Sequence, residues 1–258
     1  MDTSNRLENI ANLILEIASL LMMSGANTNR VNLNIDRFAN VLKCEAYSFI
    51  SHKTIILTLT DSETNESYTR VRNIPPHRIN FSTISSISKA SWNAISEDWS
   101  MERIQTELDQ IKDQKRYPRI IVLLAVSFAG MGFCNGFGGD YINMIVAFLS
   151  TFAGVFIHQF AHTKKYNIYL SVFLGSFIAS TLASLGVVYN LGSEPQTALA
   201  TSVLFLVPGV ALINSFTDFL DGNFLIGLVR STHGFMTVLA IALGLFTAMI
   251  LFSIKFIG

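Results

Sequence analysis

Charge is concentrated in the first half of this chain. The sequence holds 18 Lys and Arg and 18 Asp and Glu. Beyond residue 118 only Arg119, Lys164, Lys165, Arg230 and Lys255 remain, against Asp140, Glu194, Asp218 and Asp221. Five apolar stretches fill that second half, at 119–137, 140–161, 168–190, 197–215 and 232–256. Each is close to the ~20 residues a helix needs to cross hydrocarbon. In lipid the backbone must satisfy its own hydrogen bonds, which leaves the helix as the form for such segments. The sequence therefore predicts an α-helical integral membrane domain of five transmembrane helices over 119–258. A small α+β domain over 1–118 precedes it. The zero net formal charge averages two different chemistries and gives no basic excess for nucleic acid.

Periodicity divides the first half. Leu7, Ile10, Leu13, Ile14, Ile17 and Leu21 recur at helical spacing, with Gly25 as a stop. Thr28 is the expected N-cap of a second helix carrying Val31, Ile35, Phe38 and Leu42. Segments 46–50, 54–59 and 67–71 are rich in β-branched and aromatic residues, and Asp61–Asn65 supplies a turn. Two more helices are expected after Pro75-Pro76, the second placing Ile104, Leu108 and Ile111 on one face. Cys44 and Cys134 are expected as free thiols, because two separated cysteines make no disulfide framework.

Loop charge sets orientation. Lys112, Lys115, Arg116 and Arg119 precede the first stretch, His162, Lys164 and Lys165 follow the second, and Arg230 follows the fourth. The alternate loops carry Asp140 and Glu194 without Lys or Arg. The positive-inside rule then puts the N-terminal domain in the cytoplasm and, after five spans, the C-terminus outside. Small residues line two stretches at helical spacing: Ala147, Thr151, Gly154 and His158, then Ser171, Gly175, Ala179 and Ala183. Such stripes let helices approach closely, and a partner subunit is one candidate to meet them.

The fourth stretch holds the chemistry. Pro208-Gly209 opens the backbone inside an apolar run, and opened carbonyls at membrane depth need protein or a water-filled cavity. Asn214, Asp218 and Asp221 follow at i, i+4 and i+7, one stripe of a helix. A broken apolar helix leading into an acidic stripe suits a solute pathway. Pro208, Gly209, Asn214 and Arg230 are the candidate substrate-binding residues. Asp218, Asp221 and His158 are the candidate coupling groups, and capping or solvation is the plain alternative for each acid. His158 and His162 stand at the i, i+4 spacing of a zinc pair, but Gln159 replaces the glutamate of H-E-x-x-H and no third ligand is evident, so no metal is expected. No cofactor motif occurs in the soluble half. The corner Gly25–Val31 could hold an anion at a helix N-terminus, with a simple helix–turn–helix corner favoured.

The run Leu206-Val207-Pro208-Gly209…Leu212-Ile213-Asn214…Asp218…Gly222…Gly227…Arg230 resembles the signature of the threonine/serine exporter family. The Gly25-Ala26…Arg30-Val31 corner and Arg116-Tyr117-Pro118-Arg119 are also similar. The resemblance implies the larger subunit of the split, two-component type. That implies a bacterial inner-membrane exporter of threonine and serine or of dicarboxylates such as succinate, driven by the proton-motive force. A small membrane partner would complete the second half. Among functions of other classes stand a membrane-anchored regulatory or assembly subunit and a hydrolase built on Ser51, His52 and Asp61.

Overall fold

The computed structural model describes residues 3–76, 78–114 and 117–254. Lys115, Arg116 and Lys255, and with them the end of the fifth predicted stretch, lie outside the described residues. The chain forms two compact units, Met1–Lys115 with Val210–Thr232, and Arg116–Gly209 with His233–Gly258.

The first unit begins with α1 (Thr3–Met23) and α2 (Thr28–Val41). Three antiparallel strands follow: β1 (Cys44–Ile50), β2 (Thr54–Asp61) and β3 (Ser67–Asn73), in the order β1-β2-β3. Cys44 pairs with Asp61 and Ile55 with Arg72. Two helices follow, α3 (Phe81–Ser96) and α4 (Met101–Lys112). The inward face of β2, Ile55, Leu57 and Leu59, is fully buried with Leu7, Ile10, Ile14 and Ile17 of α1 and Val31, Ile35 and Phe38 of α2. Period-2 and period-3.6 apolar patterns thus meet in one core. Ile104, Leu108 and Ile111 of α4 join it as their spacing predicts.

One cap differs from expectation. Asn27, not Thr28, caps α2, its side chain accepting from the Arg30 N–H at 2.9 Å. Thr28 is the first helical residue, because Gly25 (φ +93°) already turns the chain. The Gly25 N–H donates to Met22 O and the Ala26 N–H to Leu21 O, the paired bonds of a Schellman stop.

The second unit is built from α5 (Arg119–Gly136), α6 (Tyr141–Thr163), α7 (Ile168–Val188), α8 (Pro195–Thr201) and a 3-10 turn, Leu204–Leu206. Chain then returns to the first unit as α9 (Gly209–Leu220), and α10 (Phe224–Leu251) carries the boundary between units within it. Four helices, α5, α6, α7 and α10, are long and apolar enough to cross a membrane; the broken pair 195–206 and 209–220 makes a fifth if counted as one span. The break falls at Val207-Pro208, where the ring denies a helical donor.

Three expectations need correction. Arg230 is not in a loop: α10 starts at Phe224, eight residues before the predicted span, because the segment after Gly222 (φ +79°) is helical at once. Asp221 does not continue the stripe of Asn214 and Asp218, because α9 ends at Leu220 and Asp221 lies exposed in the turn. The two small-residue stripes meet each other within the chain at Gly154, His158, Gly175 and Ala179, while Ala147 packs with Cys134 and Ala198 and Ala183 with Leu199 and Met249. A Cβ on Gly154 would stand 2.7 Å from Ala179 Cβ, and one on Gly175 would stand 3.1 Å from His158 Cβ. Hydrogen bonds and close backbone approach hold the rest of this unit. Ser176 Oγ donates to Ile241 O at 2.8 Å, and Gly244 stands where a Cβ would lie 2.8 Å from Phe173 O.

A polar clamp on the α1–α2 corner as candidate functional site

Three side chains of the Pro-Gly…Asn…Asp…Arg run converge on one short piece of backbone, Gly25–Thr28. Asn214 Nδ2 donates to Gly25 O at 2.7 Å. Asp218 Oδ1 accepts from the Thr28 N–H at 3.0 Å. Arg230 Nη2 donates to Ala26 O at 2.9 Å and lies 3.6 Å from Met22 Sδ. Arg230 Nη1 stands 2.9 Å from Asp218 Oδ2, an ion pair in distance though not aligned as a hydrogen bond. Every partner lies in the first unit.

Local sequence explains the convergence. Asn214 and Asp218, four apart on α9, point the same way. Arg230 comes from the second turn of α10, and Ser215 Oγ fastens the two helices by donating to Gly227 O at 2.8 Å. A Cβ at Gly227 would meet Phe219 at 3.0 Å and Ser215 O at 3.2 Å, so glycine lets α9 and α10 close together. The corner offers its carbonyls because the Schellman stop engages the amides of Gly25 and Ala26, not their oxygens.

Burial gives the cluster its energetic weight. Asp218 has no exposed surface and Arg230 is 7 % exposed. Charges at such depth persist only when paired and hydrogen-bonded. Asp218 also sits at the positive end of the α2 dipole, which favours a carboxylate there. The corner is the helix–turn–helix favoured from the sequence, and the chain itself supplies a carboxylate to its helix N-terminus. The Thr28 hydroxyl, on the residue whose amide Asp218 engages, is buried and has no hydrogen-bond partner among the described residues.

The remaining candidates make none of these bonds among the described residues. Asp221 is solvent-exposed. Pro208 and Gly209 close the second unit's middle segment, and a Cβ at Gly209 would meet nothing within 4 Å. His158 belongs to α6 and faces the Gly175 notch of α7. The sequence missed the acceptors Gly25 O and Ala26 O and the donor Thr28 N. Backbone atoms leave no residue signature, although the Gly25-Ala26…Arg30-Val31 match marked the right corner.

A hydrolytic set of Ser51, His52 and Asp61 is not assembled in the first unit. Ser51 and His52 lie at the β1–β2 turn, while Asp61 ends β2, seven residues or about 23 Å of strand from Thr54. The Asp61 carboxylate is engaged elsewhere, accepting from the Glu63 and Thr64 N–H groups at 2.9 and 3.0 Å and pairing with Arg6. Those bonds hold it below the usual carboxylate range.

An α+β layer, apolar helices with small-residue contacts, a broken helix and a buried polar clamp fit a multi-pass helical membrane protein of the transporter class. Comparison with known proteins makes this specific. The family model described as "Putative threonine/serine exporter" matches residues 12–252, and the chain belongs to this threonine/serine exporter family. It is 26 % identical over 248 residues to a Klebsiella aerogenes protein named "Probable succinate transporter subunit YjjP", covering 95 % of each chain. It is 24 % identical to the protein of the same name from Escherichia coli K12, covering 95 % of this chain and 96 % of that one. No solved structure matches it.

Proposed function

We propose that this chain is one subunit of a secondary exporter of small polar, carboxylate-bearing metabolites, threonine and serine or a dicarboxylate such as succinate. The proton-motive force drives it, and a small membrane subunit completes the pathway. It sits in the bacterial inner membrane with the N-terminal domain in the cytoplasm and the C-terminus outside. The observation that carries this reading is the convergence of Asn214, Asp218 and Arg230 on the α1–α2 corner, with a buried cation and a helix N-terminus side by side. Together they form an anion-selective environment next to a broken apolar helix. Pro208 and Gly209 provide the break. Asp218 and His158 carry the coupling, with Asp221 exposed near the same turn. Transporter subunits among the relatives support the class.

The test is flux in proteoliposomes loaded with labelled serine, threonine or succinate under a pH gradient, with this chain alone and with its candidate partner. Gradient-dependent flux only with both chains is expected. No flux from two folded, inserted proteins rejects the substrate assignment.

A second reading is favoured by one observation: Asn214 and Arg230 both donate to corner carbonyls. In that reading the cluster is a clamp through which the soluble domain regulates or assembles the complex. Asn214→Ala then lowers assembly with the partner, whereas a pathway role lowers flux in assembled complexes.

A further inference from the structure

We infer that the N-terminus of α2, the Thr28 hydroxyl and Arg230 form a carboxylate seat that Asp218 fills from within, and that a transported solute's carboxylate competes with Asp218 for it. This rests on the exporter reading and names how its site is closed.

Asp218 uses the seat incompletely. A carboxylate offers about four acceptor directions. Among the described residues Asp218 accepts one hydrogen bond, from the Thr28 N–H. Its second oxygen lies beside Arg230 Nη1 without the alignment of a hydrogen bond. The Thr28 hydroxyl, on the residue whose amide holds Asp218, is buried and unpartnered, and Thr28 is only 3 % exposed. The seat thus offers the amide that holds Asp218, a guanidinium nitrogen 2.9 Å from its second oxygen and, on the same residue as the amide, a buried hydroxyl with no hydrogen bond among the described residues. Asp218 is tethered to α9 and cannot align with all of them. An untethered carboxylate can accept from the amide and hydroxyl with one oxygen and from the guanidinium with the other, the stronger charge-assisted geometry.

The tether also gives the seat a way to open. α9 is a 12-residue helix bounded by Pro208 on one side and by Gly222 (φ +79°) on the other. When α9 withdraws, the Arg230 charge is left unpaired in a buried site, which is disfavoured unless another anion replaces Asp218. Opening without a solute is thereby disfavoured, and opening with one is not. Asn214, one turn earlier on α9, holds the same helix on Gly25 O and resists leaving alone. An occupied seat lowers apparent affinity by the fraction of time it is open. Removing the occupant therefore raises affinity.

The experiment uses the full chain in nanodiscs and measures thermal stability against acetate, succinate and serine, with chloride at equal ionic strength as control. Asp218→Ala is expected to melt lower than the wild type and to be rescued by millimolar acetate or succinate but not by chloride. Apparent affinity should be at least about tenfold tighter than in the wild type. Arg230→Gln in the same background should abolish the rescue, and Thr28→Val should weaken it while leaving the amide in place. Should Asp218→Ala fail to fold, Asp218→Asn keeps an acceptor for the Thr28 amide and removes the charge, and the same tightening is expected. Rescue equal for acetate and chloride, or unchanged by Arg230→Gln, overturns the seat. Flux separates the two ideas. Carboxylate rescue without flux of any carboxylate by the wild-type pair rejects the exporter reading and keeps the seat. Undiminished flux in Arg230→Gln rejects the seat and keeps the exporter.

Discussion

Residues 3–112 and the second unit are packed by opposite rules, and α9, although part of the first unit, follows the second, with Ser215 and Asp218 buried and Ile213, Phe216 and Leu220 exposed. The first buries Leu7, Ile10, Ile14, Ile35, Phe38 and Leu57 and caps its helices with Asn27, Asn80 and Ser100. In the second, Ser127, Gly130, Ala147, Ser150, Gly154, Ser176, Ala179 and Ser184 face inward, while Phe128, Phe133, Leu149, Phe156 and Phe246 face out. In water, burying large aliphatic groups drives folding. Between helices in lipid that drive vanishes, since the solvent is as apolar as leucine, and close backbone contact takes its place. The outward residues of α5, α6, α7 and α10 are largely apolar, and these helices are long and apolar enough to cross a membrane. The same side-chain types thus occupy opposite positions because the surroundings differ.

That contrast can be broken by substitution, read separately in each unit. Trp92 and Trp99 both lie in the first unit, so their fluorescence follows it alone. Cys44 and Cys134 are buried free thiols, one in each unit, and their reactivity on heating reports the two separately in single-cysteine variants.

The largest effect is expected at the charge pair inside the first unit. Arg230→Met leaves Asp218 buried and unpaired and should cost ~3–5 kcal/mol of its stability. Asp218→Leu with Arg230→Met together should recover most of that. A double variant as weak as the single one would mean that the bonds to Ala26 O and the Thr28 amide, more than the charges, hold the hairpin. Next comes truncation in the two interiors. Ile14→Ala should cost ~2–5 kcal/mol, as large-to-small changes in a packed core do. Phe128→Ala, at a position 60 % exposed, should leave Cys134 reactivity on heating almost unchanged. Equal losses would end the contrast.

The reverse substitution should behave in reverse. Gly154→Val forces α6 away from α7, where a Cβ already meets Gly175 O at 2.8 Å and Ala179 Cβ at 2.7 Å. A loss of ~1–3 kcal/mol or more in the second unit alone is expected. A smaller change follows from Asn27→Ala, which removes the α2 cap for about 1 kcal/mol and loosens the corner the clamp grips. The last effect, read in acid, is that of Asp61. Its carboxylate is held below the value of 3.8 it has when free. Its stabilisation is therefore complete above that value and is lost as pH falls through the lower folded value. Acid unfolding of wild type followed by tryptophan fluorescence should be steeper below about pH 4 than that of Asp61→Asn.

Much of this architecture was legible in the sequence because patterning reports which environment a segment faces. The strands at 54–59 and 67–71, the Gly25 stop and the break at Pro208-Gly209 all have local causes: β-branched runs, a residue free to take positive φ, a missing donor. Local causes also misled where competing residues stood side by side. Thr28 is a good cap, but Asn27 precedes it once Gly25 has turned the chain. The stripe of Asn214, Asp218 and Asp221 assumes a helix that runs on, and Leu220 ends it. Arg230 reads as a loop charge because a lone basic residue between apolar runs usually is one.

The amino-acid order by itself determined the division into a charged α+β half and an apolar helical half, and the residue types of the clamp. Tertiary structure alone decided what those residues touch. The small stripes of α6 and α7 close on each other, and Asn214, Asp218 and Arg230 reach back some 190 to 200 positions to Gly25–Thr28. Periodicity follows from the geometry of one helix, whereas the partner of a polar group is set by which backbone atoms remain unpaired when separate elements pack. That choice is made between distant parts of the chain, and no local pattern encodes it.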